Sequence, residues 1–288
     1  MKITRDELRA IPFLVPGLLA SVALIIYPLV YILRMSFMEN AIGGTGGFAG
    51  FDNFVRLSRN PMFANALRNT FQFTFTTVVF SFIVGFGLAL LIQRKGIRFK
   101  GLWRSILFIT WIMPGVVKAT SWRWLFTTEG GMLNHMLMSS GLTDSPIPWL
   151  TSPRFALTSI IIVQIWATAP YVMLMMTAGL QQLPQDVFES ADIDGATWFD
   201  KIIRIALPML KDVSFICVLL LMVWTINEFA LIWIMTSGGQ NTTTISIMIF
   251  NQFQALNLNA ASASAVLQLA ITMLFAAVYV ALITRRAD

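Results

Sequence analysis

Six apolar runs, each long enough to cross a lipid bilayer, decide what this 288-residue chain can become. A helix needs roughly 20 apolar residues to traverse the hydrocarbon layer. The runs fall at about residues 11–33, 70–92, 105–125, 155–179, 213–236 and 259–283. In lipid every backbone N–H and C=O must be bonded within its own segment, so runs of this length predict helices. The expectation is an all-α, polytopic membrane protein of six spans, forming a single transmembrane domain over residues 1–288. Composition agrees: 57% of residues are hydrophobic, only 12% are charged, and the mean hydropathy is +0.73. Soluble domains do not carry that balance.

Charge gives the runs a direction. Lys2, Arg5, Arg9, Arg94, Lys95, Arg98, Lys100, Arg104, Lys201, Arg204, Lys211, Arg285 and Arg286 share one side, 13 of the 20 basic residues. Five of them crowd the short loop 94–104, which has no acid. By the positive-inside rule that side is cytoplasmic, and six spans put both termini there. The net charge of +6 therefore reflects topology and is no argument for a nucleic-acid partner. The first run is longer than a signal-peptide core, and no convincing small-residue cleavage site follows it. It is expected to remain as the first span.

Between the runs the chain offers little chemistry. The Gly-rich string GGTGGFAGFDNF reads as a flexible loop. No Gly-x4-Gly-Lys-Ser/Thr pattern occurs, so work driven by ATP would need a separate ATPase. Pro114-Gly115 is expected to kink the third span, with Lys118 and Arg123 near its outer end placed to snorkel to the interface. His135, the one histidine, sits in an external loop at 126–154 without ligand partners and reads as a surface or packing residue. Cys217 lies alone inside an apolar run, which excludes an intrachain disulfide. There is no Ser-His-Asp set and no HExxH, so no catalytic residue is assigned.

The exception is a polar island at residues 183–212, LPQDVFESADIDGATWFDKIIRIALPMLKD. Pro184 suits a helix start, and Asp186 and Glu189 place negative charge near its positive end. Val187, Phe188, Ala191 and Ala196 are spaced to meet on one side. Gly195 can take a positive φ and end that helix in a sharp turn. A second helix is expected from about Thr197, with Trp198, Ile202, Ile205 and Met209 on one stripe, and Pro208 tells against its uninterrupted continuation. The result is a compact knob with acidic and apolar faces, suited to a groove on another protein. Ser190, Asp192, Asp194 and Gly195 mimic half of a calcium loop, but Lys201 stands where a bidentate Glu is required. No metal is expected.

The inner spacing of the island is Glu189-Ser190-Ala191, three residues, Gly195, nine residues, then Ile205-x-Leu207-Pro208. This resembles the coupling-loop signature of permease subunits of ATP-binding-cassette importers, with Ser190 in place of the usual Ala as the one departure. The resemblance implies a type I importer transmembrane fold in a bacterial or archaeal cytoplasmic (inner) membrane. It also implies that Glu189, Ser190, Ala191, Asp194, Gly195, Ile205, Leu207 and Pro208 couple to an ATPase. The implied partners are a second related permease subunit, two copies of a cytoplasmic ATPase that bind the ATP and Mg, and an external solute-binding protein. No cofactor is implied for this chain itself. YPLVYILRMSF, and Asn227, Phe229 and Thr236-Ser237-Gly238-Gly239, are similar to segments of the carbohydrate branch, the maltose-type and glycerol-phosphate-type permeases. Gln240 stands where that branch often has Pro.

For a sugar, Trp166, Tyr171, Trp224 and Trp233 could supply apolar faces, and Gln164, Asn227 and Gln268 hydrogen bonds. Glu228 suits either a polar cavity wall, or a residue near the outer water interface or bonded to a neighbouring helix. The rival reading is an ion-gradient-driven secondary carrier or channel. That reading expects several intramembrane acids and often an inverted repeat, whereas the runs offer mainly Glu228 and no repeat.

Overall fold

The computed structural model describes residues 14–39, 46–94 and 96–284. Lys2, Arg5, Arg9, Lys95, Arg285, Arg286 and the start of the Gly-rich string lie outside the described residues. Within them the chain is helical apart from turns and one isolated antiparallel bridge, Met38 to Phe48. In chain order the helices begin with α1 (Leu14–Ser36), α2 (Asp52–Ser58), α3 (Pro61–Gln93) and α4 (Lys100–Ile112). Then follow α5 (Gly115–Leu125), α6 (Met132–Ser139), α7 (Ala156–Leu180), α8 (Gln185–Ile193) and α9 (Trp198–Met209). The last are α10 (Lys211–Ile226), α11 (Ala230–Thr236), α12 (Ile245–Gln254) and α13 (Leu258–Thr284).

Four helices, α1, α3, α7 and α13, are each long and apolar enough to cross a membrane, and the number reaches six if two bent pairs each form one span. The pair α4–α5 bends by 93° and the pair α9–α10 by 75°. The first bend sits where Pro114 was expected to act. Met113 and Pro114 have ψ of 135° and 139°, extended values that the residue before a proline favours and that cannot continue a helix.

The fifth run departs from its expectation. From sequence, 213–236 is one span; in the structure the helix stops at Ile226 and restarts at Ala230. Polar side chains stabilise the break. Asn227 donates from Nδ2 to the Val223 carbonyl at 2.7 Å, and the Glu228 carboxylate accepts from the Leu231 N–H at 3.0 Å. Hydropathy averages over these two polar residues and does not register the interruption.

The described residues fall into two compact units, 1–64 with 248–270 and 65–247 with 271–288. In the first, none of the apolar window of α1 is buried within the chain. The segment after it is anchored by Asn53, whose Nδ2 donates to the carbonyls of Ser36 at 2.9 Å and Met38 at 3.0 Å. Phe37, Phe51 and Phe54 cluster above that joint with centroids 5.3–6.0 Å apart.

The second unit is built round α7, with 67% of its apolar window buried. Two hydrophobic clusters lie along it. One joins the ends of α3 and α7 to Ile202, Leu210, Cys217 and Leu221, and the other joins their starts to α5 and α11. The α3–α7 approach depends on Gly85: a Cβ there would stand 2.4 Å from the Ala169 carbonyl oxygen and 2.5 Å from the Val172 Cβ. Small residues at such crossings substitute for the missing hydrophobic force between helices in lipid. A buried polar stripe runs along α3 (Asn69, Thr70, Thr74, Thr77 and Ser81), and three of its members make hydrogen bonds to other segments. Asn69 donates to the carbonyls of Asn241 and Thr243, Thr70 accepts from the Ile245 N–H at 2.9 Å, and Ser81 meets Thr168 at 2.7 Å.

Candidate functional site

The polar island folds as two short helices at a sharp turn. Pro184 is extended (ψ 131°) and opens α8, with Asp186 in its first turn. Gly195 closes it at φ +75°. The Gly195 N–H donates to the Asp192 carbonyl at 3.2 Å and the Ala196 N–H to the Ala191 carbonyl at 2.9 Å. This paired closure satisfies two end-of-helix carbonyls and needs a left-handed residue between them. Thr197 then caps α9: its hydroxyl accepts from the Asp200 N–H, and its own N–H donates to the Asp200 carboxylate, both at 3.2 Å. The same hydroxyl hydrogen-bonds the Asp200 carboxylate, and this bond, followed by the backbone one, holds that carboxyl below its ordinary range.

The stripe expected on α9 is displaced. Ile202, Ala206 and Leu210 are buried, whereas Trp198 and Met209 are exposed and Ile205 is half-buried. The cause is a widened, π-type turn over Lys201–Ala206. More residues per turn align i with i+4 and i+8, and the wide turn sits just ahead of Pro208, where a normal helix would clash. The chain bends at Leu210, not at Pro208 itself. Lys201, which disqualified the calcium loop, makes an ion pair with Asp192 that ties α9 back to α8.

Of the coupling residues named from sequence, Glu189, Ser190, Asp194, Gly195 and Pro208 are exposed, Ile205 and Leu207 are half-buried, and Ala191 is buried against the knob. The sequence reading missed Ile193, 87% exposed at the tip of α8. An apolar side chain standing in a run of acids was the available signal.

The path candidates separate. Tyr171 and Trp224 form an aromatic triad with Trp111, which the sequence reading did not select; centroids lie 4.9–5.0 Å apart. Asn227 and Glu228 follow Trp224 by one turn, at the helix break, and Lys118 on α5 lies within electrostatic reach of Glu228. Trp166 pairs edge-on with Trp122 at 5.3 Å, and Gln164 is buried in α7. Gln268 is buried too, and belongs to the other unit. Arg123 donates to the Ile234 carbonyl at 3.1 Å, pinning α5 to α11. His135 is exposed, which takes the surface side of the two roles open to it. Its neighbour Asn134 is the organiser of that outer loop. The amide donates to the carbonyls of Thr128 and Ile147 and accepts from the Ile147 N–H and the Trp149 indole.

The profile of the family described as "Binding-protein-dependent transport system inner membrane component" matches residues 81–288. The chain belongs to this family. As a binding-protein-dependent transport component it is a multi-pass membrane protein, the permease part of an ATP-binding-cassette importer. Among similar proteins is the trehalose/maltose transport system permease protein MalF of Thermococcus litoralis, 32% identical over 234 residues. That match covers 81% of this chain and 78% of the relative. The sulfoquinovosyl glycerol transport system permease protein SmoG of Agrobacterium fabrum is 31% identical, covering 96% of this chain and 91% of the relative. A crystal structure of a bacterial transporter that imports the acidic polysaccharide alginate shares the fold at a TM-score of 0.86. It is 21% identical and covers 99% of this chain and 98% of that one.

Proposed function

We propose that this permease translocates a sugar or sugar-derived solute, handed over by an external solute-binding protein, and does no bond chemistry itself. The observation that carries the coupling half of this reading is the knob at 183–212. Asp186, Glu189, Asp192, Asp194 and Ile193 are exposed together beside a turn that Gly195 closes at positive φ. Such a surface fits a groove on a cytoplasmic ATPase, two copies of which would bind ATP and Mg and hydrolyse the nucleotide. Closure of that pair would draw together this knob and the knob of a second, related permease subunit. ATP binding then shifts the population toward an outward-open state, because it favours that state differentially. The membrane is the cytoplasmic membrane of a bacterium or archaeon, with the knob inside.

The sugar half rests on the relatives' substrates and on Trp224, the exposed member of the Trp111, Tyr171 and Trp224 triad, whose indole suits the apolar face of a pyranose. Asn227 and Glu228 at the adjoining break supply hydrogen-bonding groups. The test is co-purification in mild detergent followed by an ATPase assay. Wild type should carry an ATP-hydrolysing subunit that Glu189→Lys loses while still inserting in the membrane. A wild type that emerges alone, under conditions that keep other membrane complexes intact, would overturn the reading.

A further inference from the structure

A cleft of about 390 Å³ separates the end of α3 and α7 from the two knob helices. Its walls are mainly apolar, with Leu90, Leu180 and Ile202 among them. Its rim is cationic. Arg94 lines it, with its guanidinium 5.7 Å from the centre of the Trp198 ring. Lys201 lines it as well and commits one of its three donors to Asp192. Lys100, at the start of α4, donates to the carbonyl of Gln93, a lining residue, at 2.9 Å. Among the described residues the acid bonded to the rim is Asp192, which faces outward, its side chain 62% exposed against 20% for Lys201.

The lever that carries Lys201 has a second property. Helix α9 turns 75° away from α10, so it lies along the membrane surface if α10 crosses it. Trp198, Phe199 and Ile203 are exposed on it beside Lys201 and Arg204. Exposed aromatic and aliphatic side chains next to basic ones mark helices that rest in the headgroup layer.

We infer that this cleft binds the phosphate of an anionic phospholipid from the cytoplasmic leaflet, with Arg94 and Lys201 on the phosphate and the acyl stem against Leu90 and Leu180. Basic pockets between spans on the cytoplasmic side take such headgroups. A free phosphate would satisfy the cations alone and leave the apolar walls wet. A lipid satisfies both. Bound there, it joins the end of α3 to the knob and stiffens the lever that the ATPase moves. The inference rests on the cytoplasmic placement of the knob proposed above.

Native mass spectrometry of the full chain, purified in mild detergent with its co-purifying subunits, reads the retained phosphatidylglycerol directly. Wild type should retain it in preference to phosphatidylcholine. Arg94→Ala and Lys201→Ala should each cut the retained fraction roughly fivefold. Leu90→Trp keeps both cations and blocks the stem, so it should cut retention as well. Arg98→Ala, an exposed cation of the same loop, should leave it unchanged. Equal retention in all four variants overturns the inference. Displacement of the lipid by inorganic phosphate, with no preference between the two phospholipids, assigns the cleft to a free anion and overturns the lipid. Cytoplasmic labelling of Asp186→Cys in a Cys217→Ser background tests the placement separately. Correct labelling with no selective retention sinks the lipid site alone.

Discussion

Replacing Gly195 tests whether the knob works as a shape or as a contact. The residue sits at φ +75°, and a Cβ added there meets nothing within 4 Å. Any cost within the chain is therefore conformational. An L residue in the left-handed region costs roughly 1–2 kcal/mol, more for a β-branched one, whereas Asn enters that region with less penalty. The two short helices have little buried surface to oppose that cost, since Ala191, Ile202 and Ala206 are the main buried members. A penalty of about 1.4 kcal/mol lowers the correctly closed population roughly tenfold relative to its alternatives. We expect Gly195→Val to lose most solute-stimulated ATPase activity of the assembled complex in vesicles, Gly195→Ala to lose part, and Gly195→Asn to keep the most. Membrane insertion should be unchanged in all three. The order is the decisive result. If Asn proves worse than Ala, the size of the side chain matters more than its backbone, and Gly195 acts by touching the ATPase. A fully active Gly195→Val would refute the shape argument outright.

Other outcomes follow from the same geometry. Glu228→Gln keeps an acceptor for the Leu231 N–H but loses the charge near Lys118, whereas Glu228→Leu loses both. Uptake altered in Gln with the complex intact would indicate a role in the path; loss only in Leu would indicate a helix cap, worth about 1 kcal/mol. The Asp200 carboxyl is held low by Thr197, so its contribution to the knob is full above about pH 4 and fades as pH falls through the lowered value. The protection factors of the α9 amides against hydrogen exchange, which are corrected for the intrinsic rate, should therefore fall only on acidification, and Thr197→Val should remove that dependence. Asn134→Leu strands the Trp149 indole and the Ile147 N–H, and it should lower the thermal midpoint and expose the outer loop to protease. Gly85→Val must move the Ala169 backbone, and its expected result is little assembled protein by size-exclusion chromatography.

The legibility of this chain follows the length scale of each signal. Four spans and the α4–α5 bend could be read directly, because a bilayer-length apolar run has few alternatives in lipid and Pro114 cannot continue a helix. The turn at Gly195 and the start at Thr197 were equally legible, each being a local matter of backbone sterics or capping. The stripe on α9 was not, because a pattern with the ordinary helical period cannot foresee a widened turn. Nor was the break at 227–229, where a few polar atoms close two helix ends inside an apolar average.

The sequence alone therefore determined the membrane-spanning class and the existence and turn of the knob. These depend on composition over many residues or on the conformational limits of single ones. The tertiary structure alone decided which candidate side chains meet. It set Trp111 against Tyr171 and Trp224, laid Arg94 over Trp198, and put Gln268 in the other unit from them. Those pairings join residues far apart in the chain. They are selected by close approach at positions such as Gly85, which no local pattern encodes.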